Sequence, residues 1–344
     1  MKPTISRQGH LAEKIVIVDG QPGCGKTMLS SIIAAMDRVE LLSYAFEIEW
    51  ICRLYKLNNI NEDAAIAMVR MLTDHKLYQT MMGRDTNFRF SDLSSVFKDS
   101  NPWRYFKRIF QEGDTVIPER IKEQKPILHL TVHDLLGYSK PVFIGLNERV
   151  FFIEVVRHPL YMLIQQTLNM ERLLNDPRDI EIYIKYKNTQ LPYFAYQLED
   201  LFESSNAVEK SIYTIAKLTS LTETFKHKYI KKYGKQILTV PFESFVLDPW
   251  SFMKQIELAL ESKVNHLTKK IMKKQKVPRE KFSDGIPLSI YKRCGWEPPQ
   301  KSLDERQELE KRRQFAIDNG ASKQAMNILD KLSAEYENKY FPRK

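Results

Sequence analysis

The sequence contains little of what disulfide-rich, zinc-binding or membrane-spanning proteins require. Its three cysteines, Cys24, Cys52 and Cys294, are widely scattered, which predicts neither a disulfide framework nor a zinc site. No window approaches the long uncharged apolar stretch of a membrane span, and the polar segment 1–14 has no signal-peptide core. We therefore expect a protein without stable membrane insertion in a reducing, cytoplasmic setting.

Internal repeats and low-complexity tracts are also missing, while apolar residues make up 43% of the 344 residues, as in a globular protein. The net charge of +10 suggests acidic ligands. Part of that charge lies in the lysine-rich segment 263–281, which lacks the interleaved aromatics of a nucleic-acid site. We interpret this segment as a solvated helix face. The alternative is that it helps to bind a polyanionic substrate, and we expect no nucleic-acid partner.

A glycine-rich turn near the N-terminus is the strongest motif in the chain. Residues 20–27, GQPGCGKT, follow the apolar run 15–18 and precede an apolar helix, which matches G-x-x-x-x-G-K-[ST] in the context that the motif requires. Backbone N–H groups, the positive end of the helix and the Lys26 ammonium would converge on one anion. The motif predicts a phosphate-bearing ligand.

Strand-like and helix-like segments alternate along the chain, which predicts an α/β fold. The strands are expected at 15–18, 39–42, 127–133, 150–156 and 236–242, with helices between them. This alternation is typical of a central parallel sheet with helices on both faces, a three-layer P-loop fold. We expect one domain over 1–300 with a large helical insertion at about 45–125, followed by a C-terminal helical extension at 301–344.

A second motif, VVRHP, spans Val155 to Pro159 at the end of the most strand-like run. Ligands of open α/β sheets bind at the carboxyl edge of the strands, so Arg157 is placed to bind a second anionic group with its guanidinium. A third segment, VPFESFVLDP, spans Val240 to Pro249 and has the same strand-to-helix form.

Together, the order of these three motifs over residues 15–260 resembles the PAPS-dependent sulfotransferase family, where PAPS is 3′-phosphoadenosine-5′-phosphosulfate. The resemblance implies that the first loop holds the 5′-phosphosulfate and that Arg157 holds the 3′-phosphate. Gln165 stands where the family usually has a serine that contacts the phosphate, and Gln166 is the alternative donor. Residues 291–296 resemble the family's nucleotide-covering loop only loosely. The residues assigned to the loop are Gly23, Cys24, Gly25, Lys26, Thr27 and Met28.

The complete Gly-Lys-Thr of the first loop also fits a P-loop kinase or NTPase that uses ATP or GTP. Those enzymes need Mg²⁺, usually oriented by an acidic residue that ends another apolar strand. None of the strand ends considered carries an aspartate directly, although Asp19 or Glu243 could serve as an atypical partner. A sulfuryl group carries less charge than a terminal phosphoryl group, so we favour sulfuryl transfer without a metal.

The proton of the acceptor would be taken by a histidine or a carboxylate. By resemblance to the cytosolic branch of the family, His133 is a candidate, and His129 shares its strand face if the strand is regular. By resemblance to the carbohydrate- and tyrosine-directed branches, Glu47 or Glu49 is the other candidate. The choice between His133 and Glu47 stays open.

Finally, the acceptor is expected to be a carbohydrate or a small molecule, in a pocket lined by the segment 45–125. The residues expected there are Arg84, Arg89, Trp103, Arg104 and Tyr105.

Overall fold

The computed structural model describes residues 3–341 except 173, 175, 178, 287–291, 293, 294, 296 and 298–302. Its centre is a five-stranded, fully parallel sheet with the strand order β2-β3-β1-β4-β7, and β5 and β6 form a separate antiparallel hairpin. The strands are β1 Lys14–Asp19, β2 Ser43–Tyr44, β3 Ile127–Thr131, β4 Val150–Val156, β5 Tyr183–Tyr186, β6 Thr189–Pro192 and β7 Ile237–Pro241. The predicted α/β class with a central parallel sheet is confirmed.

Fourteen α-helices are found in the described part of the chain. They are α1 Lys26–Ile33, α2 Phe46–Lys56, α3 Glu62–Met81, α4 Trp103–Ile109, α5 Ile117–Gln124, α6 Lys140–Leu146, α7 Pro159–Arg172, α8 Glu199–Ser204, α9 Ala207–Tyr233, α10 Phe242–Leu247, α11 Trp250–Leu260, α12 His266–Lys274, α13 Glu305–Asp318 and α14 Lys323–Tyr340. No described helix is long and apolar enough to cross a membrane.

Helices cover both faces of the sheet, which gives three layers. Side chains alternate along β1: Val16 and Val18 belong to one buried cluster, and Ile15 and Ile17 belong to the other. The first cluster includes residues of α1, α7, α10, α11 and both C-terminal helices, α13 and α14. The second includes residues of α2, α3, α5 and α6. Strands covered on both faces must be continuously apolar, which explains why β4 was readable from the sequence.

The second strand lies slightly later than predicted. Strand β2 is Ser43–Tyr44, whereas Val39 forms only an isolated bridge to Ile127. Two side chains of α4 bind the backbone of the predicted strand: Arg104 donates to the Val39 carbonyl (2.7 Å), and the Tyr105 hydroxyl accepts from the Leu41 N–H (2.6 Å). These contacts satisfy backbone groups of the edge segment that have no neighbouring strand to pair with.

The parallel strands bring four sequence-distant segments to one edge of the sheet. The glycine-rich loop follows β1, His133 follows β3, Arg157 follows β4 and Glu243 follows β7. In open α/β sheets this carboxyl edge is where ligands bind.

Candidate functional site

The glycine-rich loop is shaped by close contacts that exclude larger residues. Gly25 precedes α1 with φ +94°, and an added Cβ would lie 2.4 Å from the Phe242 ring. A Cβ on Gly20 would lie 2.5 Å from the Val155 carbonyl oxygen. Lys26 opens α1, and its Nζ donates to the Gly20 carbonyl (2.9 Å), so its ammonium lies over the loop.

Replacing Gly25 with alanine is expected to destabilise the fold by about 2 kcal/mol or more, because a left-handed residue gains a side chain that strikes an aromatic ring. Urea unfolding measures the loss. Gly320→Ala is the matched control: its φ is +80°, but the nearest atom to an added Cβ is 3.4 Å away. That variant should lose only about 1 kcal/mol. Equal losses in the two variants would contradict the proposed contact with Phe242.

A cavity of about 590 Å³ opens above this loop. Five of the six residues assigned to the loop line it: Gly23, Gly25, Lys26, Thr27 and Met28. Cys24 is not among the described lining residues; its thiol is buried, and burial raises its pKa to about 11. The protonated thiol therefore acts as a small core side chain, while the neighbouring residues face the cavity.

Arg157 lies at the mouth of the same loop. Its Nη1 donates to the Gly23 carbonyl (2.8 Å), and its guanidinium lies over the rings of Phe242 (4.2 Å) and Tyr161 (4.9 Å). The Nε atom is buried without a hydrogen-bond partner among the described residues, and the nearest carboxylate oxygen, on Glu243, is 3.9 Å away. The two cationic groups inferred from the sequence thus line one cavity.

The two carboxylates offered as metal partners are held by other contacts. Asp19 accepts the N–H groups of Leu135 (3.0 Å) and Leu136 (2.8 Å), and its burial raises its pKa. Glu243 accepts the His158 N–H (3.2 Å) and the Tyr336 hydroxyl (2.5 Å). Among the described residues, no group of three or more His, Cys, Asp or Glu side chains could hold a metal ion.

The two glutamines of α7 have different surroundings. Gln166 is buried and donates to the Pro22 carbonyl (3.2 Å) and to the Gln21 side chain (3.3 Å), so it braces the loop from below. Both glutamines line the cavity, and Gln165 Oε1 lies 3.4 Å from the Cβ position of Gly23. Gln165 and Gln166 therefore both stay candidates for contact with a ligand in the loop.

The same cavity is lined by two further arginines, Arg279 and Arg312, which the sequence motifs did not identify. Arg279 donates to backbone carbonyls of its own segment, including that of Gln275 (3.3 Å). The Arg312 guanidinium lies 4.3 Å from the Tyr161 ring centroid. No local signal identifies either residue, because both stand in highly charged stretches where most arginines face solvent. The segment 291–296, which loosely resembles the family's nucleotide-covering loop, lies largely outside the described residues.

His133 also lines the cavity. Its ring packs beside the rings of Tyr44 (6.0 Å) and Phe46 (5.6 Å), and Nδ1 lies 3.1 Å from Glu49 Oε1. Burial and the Lys26 charge lower the pKa of His133, against the opposing effect of Glu49. The ring is therefore neutral near pH 7, and the Glu49 contact favours the tautomer that leaves Nε2 free to accept a proton. His129, by contrast, is fully buried within the sheet.

The two candidate glutamates on α2 are separated by the fold. Glu49 is buried in the cavity wall with Arg53, whose Nη2 lies 3.1 Å from Glu49 Oε2. Burial would raise the pKa of Glu49, but His133 and Arg53 bring it below its ordinary value. Glu47 is 46% exposed, lies 3.8 Å from Lys76 and is not among the described residues that line the cavity.

Asp134 is a further cavity residue that the sequence reading missed. It has a left-handed backbone (φ +54°), and its Oδ1 is buried without a hydrogen-bond partner among the described residues. Burial raises the pKa of Asp134 to about 8, although the Lys26 charge opposes this. Asp134 could have been predicted as a site residue, because it comes just after β3, a buried strand that pairs with β1.

The segment predicted to line the acceptor pocket, 45–125, contributes Phe46, Glu49, Trp50, Arg53 and Leu93 to this cavity. None of the five predicted side chains, Arg84, Arg89, Trp103, Arg104 and Tyr105, is among the described residues lining the cavity. Arg104 and Tyr105 instead hold the backbone near β2, as described above. Part of the cavity wall is aromatic and includes Tyr44, Phe46, Trp50, Tyr193 and Phe194.

Comparison with known proteins gives fold-level matches only. No protein-family model and no curated protein matches the chain. Matching solved structures include a sulfotransferase domain from the curacin biosynthetic pathway (12% identity, TM-score 0.45, covering 94% of this chain and 99% of that one). A sulfotransferase domain from the Synechococcus PCC 7002 olefin synthase matches at 11% identity, with a TM-score of 0.40 and 93% and 99% coverage. A mouse sulfotransferase complexed with PAP matches at 12% identity, with a TM-score of 0.36 and 95% and 90% coverage. These structures are sulfotransferases, the family that the three motifs resemble, and at these TM-scores they assign no activity to this chain.

Proposed function

We propose that this protein is a PAPS-dependent sulfotransferase that transfers a sulfuryl group to a hydroxyl of a carbohydrate or small-molecule acceptor and releases 3′,5′-ADP. The observation that carries the proposal is the position of Arg157, whose Nη1 lies 2.8 Å from the Gly23 carbonyl of the loop that bears Lys26. Two cationic groups at one cavity suit a nucleotide that carries an anionic group at each end.

The residues present fit such a nucleotide. Lys26, the Thr27 hydroxyl and the loop amides would bind the 5′ end, because they meet at the positive end of α1. Arg157 would bind the 3′-phosphate with the buried Nε that has no partner in the described structure. A buried donor without a partner costs free energy, and a bound anion would remove that cost.

PAPS would supply the sulfuryl group. The protein would stabilise the charge on the leaving phosphate and accept the proton of the acceptor hydroxyl. Lys26 and the loop amides would stabilise the negative charge that develops on the leaving phosphate oxygen. His133 Nε2 would accept the proton that the acceptor hydroxyl loses, while Glu49 holds the ring through Nδ1 (3.1 Å). The aromatic wall that includes Tyr44 and Phe46 would position the acceptor beside His133.

One observation favours the second candidate, a Mg²⁺-dependent kinase or NTPase that uses ATP or GTP. Asp134 lines the cavity with a carboxylate oxygen that has no partner among the described residues. Mg²⁺ is commonly held by one or two carboxylates together with nucleotide phosphates. With Thr27, Asp134 would provide such ligands.

Thermal unfolding with different nucleotides distinguishes the two functions. We expect 3′,5′-ADP to stabilise the protein more than ADP or ATP does, with or without Mg²⁺. A ligand at a hundredfold excess over its Kd adds about 2.7 kcal/mol to the free energy of unfolding. Stabilisation by ATP only when Mg²⁺ is present, with no preference for the 3′-phosphate, would favour the kinase.

The Arg157→Ala variant tests the observation behind the proposal. We expect it to lose most of the stabilisation by 3′,5′-ADP while retaining that by ADP, because only the former has a phosphate for Arg157 to bind. An unchanged preference for 3′,5′-ADP would mean that Arg157 does not contact the 3′-phosphate.

A further inference from the structure

We propose that Arg312 and the Tyr161 hydroxyl complete the 3′-phosphate site together with Arg157, so that the C-terminal helices supply part of the nucleotide site. The inference rests on the proposed function and assigns to α13 a ligand-binding residue that the three sequence motifs do not contain.

The first step is the shared position of the two guanidiniums. The Arg157 Cζ lies 4.9 Å and the Arg312 Cζ 4.3 Å from the centroid of the same Tyr161 ring. Arg157 follows β4, Tyr161 lies in the first turn of α7 and Arg312 comes from α13, which packs against α7. Three segments of the chain therefore bring hydrogen-bond donors to one end of the cavity.

The second step is the set of donors left without partners. Arg157 Nε and Arg312 Nε are each buried and lack a hydrogen-bond partner in the part of the chain that the structure describes, and the buried Tyr161 hydroxyl interacts with Arg312 beside them. Buried polar groups are nearly always paired, so two unpaired donors in one place need an explanation. A single phosphate, with its several acceptor oxygens, could accept from these two donors and from the Tyr161 hydroxyl.

The third step is the charge. Burial lowers the pKa of Arg312, and the nearby Arg157 charge acts in the same direction, against the opposing effects of Tyr161 and the Glu308 charge. Two guanidiniums that repel each other at a partly buried site are favoured when an anion binds between them. A doubly charged 3′-phosphate matches that requirement better than a neutral 3′-hydroxyl.

The fourth step is the support given by α14. The Tyr336 hydroxyl donates to Glu243 Oε2 (2.5 Å), and Glu337 Oε1 lies 3.1 Å from His158 Nε2. Glu243 also accepts the His158 N–H (3.2 Å), beside Arg157. Helix α14 therefore holds the residues next to Arg157 in place.

The experiment measures the Kd of 3′,5′-ADP and of 5′-AMP by calorimetry in the wild type, Arg312→Met and Tyr161→Phe. The two nucleotides differ only in the 3′-phosphate. Loss of a charge-assisted hydrogen bond should weaken 3′,5′-ADP by about 10- to 100-fold in Arg312→Met, with little change for 5′-AMP. Tyr161→Phe, which keeps the ring, should weaken 3′,5′-ADP by about 3- to 10-fold. Arg306→Met removes an exposed arginine from the same helix and should leave both affinities unchanged.

The outcomes separate the inference from the proposed function. A wild type that binds both nucleotides equally would overturn the proposed function, and with it the assignment of the site. A wild type that prefers 3′,5′-ADP, with the preference intact in both Arg312→Met and Tyr161→Phe, would overturn only the inference. Equal weakening of the two nucleotides by Arg312→Met would also overturn it, because the residue would then act through the fold and not through the 3′-phosphate.

Discussion

Replacing Lys26 with methionine is expected to reduce kcat by about 100- to 1,000-fold, the usual effect of removing one donor that stabilises developing charge. Methionine keeps most of the aliphatic stem, which matters because the side chain is buried. The ammonium, now 2.9 Å from the Gly20 carbonyl, would be lost from the mouth of the loop. Transfer of radiolabelled sulfate from PAPS to an acceptor measures the effect.

The control for this variant is Lys122→Met, which removes an exposed lysine of α5 and should leave kcat unchanged. The two variants carry the same change in charge and composition. If Lys26→Met kept the turnover of the wild type, the ammonium would have no catalytic role, and the glycine-rich loop would serve only to bind the nucleotide.

Much of the fold could be predicted because buried parallel strands leave a strong local pattern. Strand β4 has the predicted bounds, Val150–Val156. The loop that carries Lys26 was predictable for a similar reason. Its glycines are required locally, because a Cβ on Gly20 or Gly25 would collide with neighbouring atoms. Arg157 followed from topology: a residue that ends a strand next to β1 lies beside the loop that follows β1.

The rest of the site depends on contacts between distant segments, which leave little local signal. In α13, Arg312 enters the cavity while the adjacent Arg313 pairs with Asp330 (2.8 Å), and only the packing of α13 on α7 separates their roles. The aromatic wall of the cavity also depends on contacts between distant segments. Tyr193, for example, follows the hairpin β5–β6, and this hairpin was not predicted. Glu47 and Glu49 were indistinguishable because the sequence did not show which side of α2 faces the cavity.

The His133→Asn variant is expected to lower kcat by about 100- to 10,000-fold, the range for removing a general base. Binding of 3′,5′-ADP should stay near that of the wild type, because His133 is proposed to contact the acceptor. Calorimetry measures the binding, and the sulfate-transfer assay measures kcat. A variant with wild-type kcat would exclude His133 as the base.

The pH dependence of kcat then decides between the two glutamates of α2. Burial lowers the pKa of His133, so the wild-type rate should fall only at a pH below the usual histidine value of about 6.5. The Glu49 charge raises the pKa of His133; Glu49→Gln should therefore shift this acid limb to still lower pH and also reduce kcat, since the ring loses its 3.1 Å partner. Glu47→Gln should leave the acid limb in place, because Glu47 is half exposed and lies 3.8 Å from Lys76. The reverse result, with activity lost in Glu47→Gln and retained in Glu49→Gln, would make Glu47 the base and remove the His133–Glu49 pair from the mechanism.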